Sequence, residues 1–256
     1  MARELRRLMI APERLATALS RGDRLALEPP ESHYLRRVLR CRPGEAIALV
    51  DGVGGLLPAL WEANGDLRLE PAAAERQPAS VCPILLGLAL PRREVDVVWR
   101  MATELGVDRF QPLLAQRSQP QPLPLERWRT IVREALEQSE RLWLPQLEEP
   151  RPAASWLAAA APGLGLIATT RRQGLPELET LLGPAFSQAL PAGIRVAIGP
   201  EGGWTEAEEA AAQEGGWLAV SLGPSILRCS TAAIAAVARL VSWRHRIGAA
   251  SRPPSP

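Results

Sequence analysis

Residues 198–204 read IGPEGGW and residues 222–228 read LGPSILR, and these two glycine-bearing stretches decide the fold assignment. Each follows an apolar run typical of a buried strand, residues 194–198 and 217–222, and each leads into a helical pattern. Ligands of open α/β sheets bind at such carboxyl ends of strands. Glycine lacks a Cβ atom, so both loops let the backbone approach a flat ligand closely. Either loop alone indicates an ordinary strand-to-helix turn, whereas the pair indicates a ligand site.

The chain from residue 84 onward predicts strands that alternate with helices. Residues 84–90 form an apolar run of the kind that fills a covered strand, and Val95 to Leu105 show helical spacing that ends at Gly106. Further along, we predict strands over 110–114 and 163–169, helices over 127–141 and 153–161, and a final helix that contains an apolar stripe. This alternation predicts an α/β fold with a mainly parallel sheet.

The sequence predicts where two helices begin near the glycine loops. Thr205 and Glu208 have the spacing of a capping box, which predicts a helix through Glu214. Either Ser230 or Thr231 is expected to cap the last helix.

The first 76 residues predict a small all-β domain. Its predicted strands are 24–27, 46–51, 56–61 and 67–70, and the hairpin dipeptides Asp51-Gly52 and Asn64-Gly65 separate some of them. Residues 71–83 contain three prolines and predict a linker. The tail at 251–256 is expected to be disordered.

Composition narrows the class of protein. A length of 256 residues fits one large or two modest domains, and 46% hydrophobic and 23% charged residues are typical of a globular protein. The three cysteines and two histidines show no metal-ligand spacing, so we expect no metal. No apolar run is long enough for a membrane span and no secretion signal begins the chain, so we expect a cytoplasmic protein.

The charge pattern leaves two interpretations open. All 30 basic residues are arginine, which suits phosphate recognition but also follows from a GC-rich genome. The formal net charge of only +2 means that any RNA site must be a local patch. Residues 33–42 carry four arginines and no acid, and this cluster is either a phosphate-binding surface or a solvated helix face. The pair Arg6 and Arg7 leaves the same choice.

Taken together, the two loops resemble those of the SPOUT methyltransferases, and within that superfamily the chain is similar to the RsmE family. The resemblance runs along most of the chain. It rests on Arg6-Arg7, HYL at 33–35, VLR at 38–40, Asp51-Gly52, TELGV at 103–107, Arg117-Ser118, EQS at 137–139, Arg141 and both loops as far as Thr231-Ala232.

The resemblance implies a fold and an activity. It implies a PUA-like RNA-binding barrel over residues 1–76 and a SPOUT domain with a trefoil knot over residues 77–250. The implied reaction is methylation of N3 of a uridine in 16S ribosomal RNA of the small subunit, with S-adenosylmethionine as cofactor and a homodimer as the working form. The last helix would then contribute to the dimer interface.

The resemblance also assigns site residues. Cofactor contacts are implied for Thr169, Ile198, Gly199, Pro200, Gly203, Leu222, Gly223, Ile226, Leu227, Thr231 and Ala232. RNA contacts are implied for Arg6, Arg7, His33, Arg36, Arg37, Arg40, Arg117 and Arg141. Arg228 is the expected catalytic residue, because its guanidinium can stabilise negative charge on the uracil oxygens; its alternative is an ion pair with Glu201. Glu201 either serves the substrate, as an orienting group or proton acceptor, or fixes its own loop.

Three positions depart from the family pattern. Met101 stands where a lysine is common, Ser225 where an arginine is frequent, and Ser230 where a glutamate is usual. If the family's arginine and glutamate at positions 225 and 230 pair with each other, their joint replacement by serine removes both partners of one ion pair. Alternatively, it indicates altered catalysis. Two alternative functions therefore stay open: a non-catalytic RNA-binding protein of ribosome assembly, and a SPOUT enzyme with a shifted RNA substrate.

Overall fold

The computed structural model describes residues 5–160, 163–170, 172, 174–185 and 190–250. The chain divides into two compact units. The first comprises Met1–Ala79 together with Arg133–Leu144, and the second comprises Ser80–Val132 together with Pro145–Pro256. The tail that the sequence predicts to be disordered, 251–256, lies outside the described residues.

The first unit is built on a six-stranded sheet in the order β1-β3-β4-β5-β2, with β6 paired to β4. Only β1 and β3 run parallel; the other pairs are antiparallel. The strands are β1 (Arg7–Met9), β2 (Arg24–Leu25), β3 (Ala46–Val50), β4 (Gly55–Trp61), β5 (Leu67–Leu69) and β6 (Glu75–Arg76).

Local sequence explains the turns of this sheet. Asp51 Oδ1 accepts the backbone N–H groups of Val53 and Gly55, both at 2.7 Å, and so closes the turn between β3 and β4. Asn64 Oδ1 accepts the N–H of Asp66 in the next turn. Both predicted hairpins are confirmed. The predicted linker at 71–83 is only partly irregular, because β6 lies within it and pairs with β4.

Helical segments complete the first unit. They are α1 (Pro12–Ser20), α2 (Pro29–His33), a π-helical turn (Tyr34–Val38) and a short 3₁₀ turn (Pro71–Ala73). The core beneath them includes Leu35, Ile47, Leu49, Trp61 and Leu67, none of which is measurably exposed. Burial of these side chains stabilises the unit by roughly 1.5–3 kcal/mol each.

The second unit contains a seven-stranded, wholly parallel sheet in the order β10-β8-β7-β12-β11-β13, with β9 paired to β8. The prediction of a mainly parallel sheet is confirmed. The strands are β7 (Ile84–Ala89), β8 (Arg109–Leu114), β9 (Gln146–Leu147), β10 (Arg151–Pro152), β11 (Leu164–Ala168), β12 (Ile194–Ile198) and β13 (Leu218–Val220).

The helices that follow these strands are α3 (Val95–Leu105), α4 (Leu125–Gln138), α5 (Ala153–Ala158), α6 (Leu178–Ala185), α7 (Glu206–Glu214) and α8 (Cys229–Ala250). Helix α3 ends at Leu105, and the next residue, Gly106, has a φ of 115°. This left-handed conformation is one that glycine adopts more readily than other residues. The predicted capping box of Thr205 and Glu208 is present at the start of α7. The predicted cap of the last helix is wrong: α8 already begins at Cys229, so Ser230 and Thr231 lie in its first turn.

Aromatic and ionic contacts hold the second unit together. Trp156 and Trp217 meet at 4.8 Å between ring centroids, and the guanidinium of Arg195 lies over the Trp217 ring at 4.4 Å. Near the amino ends of the strands, the buried Arg244 pairs with Asp108 and donates to the carbonyl of Gly106 at 2.9 Å. In the part of the chain that the structure describes, no helix is long and apolar enough to cross a bilayer.

Candidate active site

The predicted cofactor residues lie mostly at the carboxyl edge of the parallel sheet. Strands β12 and β13 both pair with β11, and their following loops are residues 199–205 and 221–228. Neighbouring strands are about 4.8 Å apart, so the two loops begin about 10 Å from each other. That separation suits the width of a nucleoside.

The first loop, residues 199–205, is fixed by side chains from outside it. Trp204 is buried, and its indole N–H donates to the carbonyl of Ala168 at the end of β11, at 3.1 Å. The Arg117 guanidinium donates to the carbonyls of Gly202 and Trp204, each at 3.0 Å. The loop is therefore anchored to the neighbouring strand end and to the segment after β8.

Two glycines of this loop serve different purposes. A Cβ atom at Gly199 would lie 3.1 Å from the Trp204 ring, so the absence of a side chain permits close packing there. Gly203 has a φ of 72°, and a Cβ atom there would meet nothing within 4 Å. Open space therefore borders the backbone at Gly203, where a ligand can approach closely.

The second loop, residues 221–228, is shaped in a similar way. Ser221 Oγ accepts the N–H of Gly223 at 3.1 Å, and the Arg239 guanidinium donates to the carbonyl of Leu222 at 3.0 Å. Gly223 has a φ of 120° and is again bordered by open space. Ile226 is 68% exposed, which leaves an apolar surface beside the open backbone. Such a surface suits the face of an adenine ring.

Arg228 lies between the second loop and α8. Its carbonyl accepts the N–H of Ala232 at 2.8 Å, while its exposed side chain makes no hydrogen bond or ion pair with any described residue. The ion pair with Glu201 that the sequence leaves open is not formed among the described residues. Instead, Glu201 Oε1 accepts the backbone N–H of Arg92 at 3.1 Å.

Thr169 directly follows β11, the strand that lies between β12 and β13 in the sheet. Its hydroxyl donates to Glu209 Oε1 at 3.1 Å. It also lines a cavity of about 390 Å³ together with Arg172, Gln213 and Trp217. None of the other predicted cofactor residues lines this cavity, which lies against α7. The cavity is therefore separate from the space bordered by Gly203 and Gly223.

The departures from the family pattern occupy different environments. Ser225 is exposed in the second loop, and Met101 is half-buried on α3. Ser230, in the first turn of α8, donates its hydroxyl proton to Glu94 Oε2 at 2.6 Å. A carboxylate is thus present at the start of α8, although it comes from residue 94 and not from residue 230.

The arginine cluster of the first unit is exposed. Arg36 lies over the Trp61 ring at 5.4 Å, while His33, Arg37 and Arg40 are exposed side chains. Two nearby acids are engaged elsewhere: Glu31 pairs with Arg14, and Glu45 accepts the N–H of Arg42 at 3.1 Å. The guanidinium groups of Arg36, Arg37 and Arg40 form no ion pair with described residues, so their charge is available to a ligand.

Arg6 and Arg7, unlike the arginines of this cluster, contact other side chains of the first unit. Arg7 pairs with Glu140 at 2.9 Å and its side chain is only 15% exposed, whereas Arg6 donates to Cys41 Sγ at 3.3 Å. Both line a recess of about 330 Å³. Arg141 follows Glu140 just beyond α4, and its N–H donates to the carbonyl of Leu136.

Buried Glu137 lines the same recess as Arg6 and Arg7. Its Oε1 accepts the N–H of Met9 at 2.7 Å, and burial raises the pKa of this carboxyl above its usual value. Desolvation outweighs the hydrogen bonds to Met9 and Tyr34, which lower the pKa.

The sequence analysis does not identify the loop-anchoring roles of two residues, Trp204 and Arg117. A buried indole N–H such as that of Trp204 needs a hydrogen-bond partner and so indicates an anchoring contact. Arg117 was assigned to RNA, and that assignment stays a prediction, but its guanidinium contacts the first loop. Among the described residues, no group of His, Cys, Asp and Glu side chains could hold a metal ion.

Comparisons with known proteins agree with this geometry. Residues 77–241 match the family model for an RNA methyltransferase domain, and residues 27–59 match the RNA methyltransferase PUA domain. The chain is 38% identical to the "Ribosomal RNA small subunit methyltransferase E" of Synechocystis sp., over 91% of this chain and 76% of the relative. It is 32% identical to the protein of the same name from Mycobacterium bovis, over 88% and 86%.

Solved structures show the same similarity. The Neisseria gonorrhoeae ribosomal RNA small subunit methyltransferase E, bound to S-adenosyl methionine, superposes with a TM-score of 0.79 at 29% identity, covering 93% of this chain and 98% of that one. A methyltransferase from Legionella pneumophila in complex with SAM gives a TM-score of 0.77 at 25% identity, with the same coverage. With its parallel sheet, its paired glycine loops and a family match over most of its length, the chain belongs to the RsmE family of RNA methyltransferases.

Proposed function

We propose that this chain transfers a methyl group from S-adenosylmethionine to N3 of a uridine in 16S ribosomal RNA. The observation that carries the proposal is the pair of loops at the ends of β12 and β13, each with open space at a positive-φ glycine, in a chain of this family. S-adenosylmethionine supplies an electrophilic methyl group on a sulfonium. The protein's task is to place it in line with the uracil nitrogen.

The residues present fit this cofactor. Gly203 and Gly223 leave open space beside the main chain, and a flat adenine ring can approach the backbone closely there. Leu222, Ile226 and Leu227 offer apolar side chains next to them. The remaining assignments to the cofactor are Thr169, Ile198, Gly199, Pro200, Thr231 and Ala232.

Arg228 is the proposed catalytic residue. Attack by N3 requires loss of its proton, which places negative charge on the two uracil carbonyl oxygens. An exposed guanidinium without a partner among the described residues is free to stabilise that charge. Removal of one such donor typically costs a factor of 10²–10³ in turnover.

Glu201 is proposed to fix the loop that carries it. Its Oε1 accepts the Arg92 N–H, so the carboxylate ties the first loop to the segment after β7. Its other carboxylate oxygen has no partner among the described residues and is available to contact the substrate. A proton-acceptor role is the weaker of the two, because one carboxylate oxygen is already engaged by the Arg92 N–H.

The first unit is proposed to bind RNA as a PUA-like domain. The exposed, unpaired guanidinium groups of Arg36, Arg37 and Arg40 support this role, with His33 beside them. The residues further assigned to RNA are Arg6, Arg7, Arg117 and Arg141. The proposed division places RNA binding in residues 1–76 and methyl transfer in residues 77–250.

A trefoil knot and a homodimer complete the proposal. Strand β13 lies at the edge of the sheet, yet α8, which follows it, packs against α3 and β7 in the middle. Such a return of the chain from the edge to the centre is what a knot requires. A ribosomal substrate also supports a cytoplasmic location.

Mass spectrometry of 16S RNA tests the function directly. Small subunits reconstituted from unmodified transcribed RNA are incubated with the protein and S-adenosylmethionine, and their nucleosides are then analysed. We expect one 3-methyluridine. If the protein binds the subunits and the cofactor but forms no methylated uridine, the non-catalytic alternative replaces this proposal; methylation of another RNA alone would show a shifted substrate.

A further inference from the structure

The segment between β7 and α3, residues 90–94, lies next to the first loop and to the start of α8, which follows the second loop. We call it the β7–α3 turn. It follows the strand that pairs with β12, so it leaves the sheet beside the first loop. Cys229, the first residue of α8, donates its thiol proton to the carbonyl of Ala89 at 3.5 Å, which brings the start of α8 against the same turn.

Several hydrogen bonds hold the backbone of this turn. The Gln121 side-chain amide donates to the carbonyls of Leu90 and Pro91, at 3.3 and 3.0 Å. The N–H of Arg92 donates to Glu201 in the first loop at 3.1 Å. The turn is therefore fixed in position before any substrate arrives.

Glu94 completes the attachment. It has a φ of 70°, a left-handed conformation that costs an L-residue about 1–2 kcal/mol. Its carboxylate accepts the Ser230 hydroxyl at 2.6 Å, so the turn is joined to α8 as well as to the first loop. The carboxylates of Glu94 and Glu201 are thus both used to hold the turn.

The side chains of Arg92 and Arg93 are not used in this way. Both are exposed, and neither makes a side-chain hydrogen bond or an ion pair with the described residues. Several other arginines of the second unit are paired with acids, for example Arg109 with Glu148 and Arg127 with Asp96. Two available guanidinium groups on a fixed backbone beside the site indicate a site for an anion.

The chemistry of the substrate specifies that anion. N3 of uracil is the hydrogen-bond donor of the Watson–Crick edge, so a paired uridine hides the atom to be methylated. The target base must therefore leave its stack, and the strand on either side of it must be held. Guanidinium groups bind phosphate oxygens through two parallel hydrogen bonds.

We propose that Arg92 and Arg93 bind two phosphates of the ribosomal RNA strand next to the target uridine. This site rests on the proposed function and adds a substrate contact in the second unit, apart from the arginines of the first unit. It has the role of positioning the strand, while Arg228 acts on the base.

The test is the salt dependence of binding by the full-length Arg92→Ala/Arg93→Ala variant. The probe is small ribosomal subunits reconstituted from unmodified transcribed RNA. Each phosphate contact to a single strand contributes about 0.7 to the slope of log K against log salt, so we expect the slope to become shallower by about 1.4. Affinity should fall about tenfold or more, KM should rise, and S-adenosylmethionine affinity should stay within about twofold of the wild type.

Two further variants make the test specific. Arg92→Lys/Arg93→Lys should restore most of the slope, because counterion release depends on charge. Arg109→Ala/Arg246→Ala removes the same charge from the second unit: Arg109 begins β8 at the opposite edge of the sheet, and Arg246 lies about 26 Å along α8 from its start. This control should keep the wild-type slope.

Failure of this proposal and failure of the proposed function are distinguishable. A wild-type protein that leaves the RNA unmethylated refutes the function. A wild-type protein that methylates normally, together with an unchanged slope in the Arg92/Arg93 variant, overturns only the phosphate site. A changed sedimentation coefficient with unchanged RNA affinity also overturns it, since the pair would then contact a second copy of the chain.

Discussion

Comparison of Gly203→Ala with Gly216→Ala separates the effect of backbone strain on stability from the effect of an added methyl group on cofactor affinity. Gly203 has a φ of 72°, and Gly216, in the turn between α7 and β13, has a φ of 77°. At both positions an added Cβ atom meets nothing within 4 Å. The two glycines are thus matched in conformation and in free space, and they differ in whether the space belongs to the proposed cofactor site.

The expected effect on stability is the same for both substitutions. A left-handed alanine costs about 1–2 kcal/mol, and the lower entropy of the unfolded chain returns about 0.4–1 kcal/mol of this. We therefore expect each variant to lose about 1 kcal/mol of unfolding free energy. For a chain of this size, the melting temperature should fall by about 2–4 °C in both.

The expected effect on cofactor affinity differs. A methyl group placed in the space that S-adenosylmethionine fills should cost about 1–3 kcal/mol of binding free energy, by analogy with overpacking in a core. This corresponds to a Kd about 5- to 150-fold higher, since 1.4 kcal/mol is a factor of ten. Isothermal titration calorimetry should show this for Gly203→Ala, while Gly216→Ala stays within about twofold of the wild type. Equal affinity in the two variants would refute the placement of the cofactor at Gly203.

Three other measurements address separate groups. Arg228→Ala should lower kcat by about 10²–10³ with cofactor affinity kept within about twofold, and undiminished turnover would remove it from the reaction. Burial, and after it the charge of Glu201, raises the pKa of the Cys229 thiol to about 12, so at pH 7.5 only about 3 in 10⁵ of it is thiolate. Its alkylation by iodoacetamide should thus be about a thousandfold slower in the folded protein than in urea, and comparable rates would contradict the burial. The Glu137 carboxyl has its pKa raised by burial, so its contribution to stability is greatest below its ordinary pKa and is lost as pH rises through the folded-state value. Glu137→Gln should therefore gain unfolding free energy relative to the wild type across that window in urea titrations, whereas a pH-independent difference would be contrary evidence.

Features that depend on neighbouring residues were predictable from the sequence. The capping box of Thr205 and Glu208 formed as expected because both partners lie within one helical turn. Strand β12 occupies the predicted residues 194–198, where four of the five side chains are apolar and buried, as in a strand covered on both faces. Gly106 terminates α3 because glycine adopts the left-handed conformation that ends a helix more readily than other residues do.

Features that depend on distant residues were not predictable. The contact of Arg117 with the carbonyls of Gly202 and Trp204 joins positions more than eighty residues apart, and no periodicity encodes it. The predicted start of α8 differs from the observed one because Ser230 is a good capping residue by type but lies within the first turn of the helix. Its hydroxyl is instead drawn to Glu94, which the sequence places far away.

The hydrogen bond from the Met9 N–H to Glu137 has a practical consequence for dissecting the protein. Residues 133–144 belong to the same compact unit as the first 79 residues, although more than fifty residues lie between them in the chain. A fragment that stops at residue 79 would lack the carboxylate that receives Met9, and it would also lack Glu140, the partner of Arg7. An isolated RNA-binding fragment would therefore have to be a fusion in which a short linker replaces residues 80–132, and not a simple truncation.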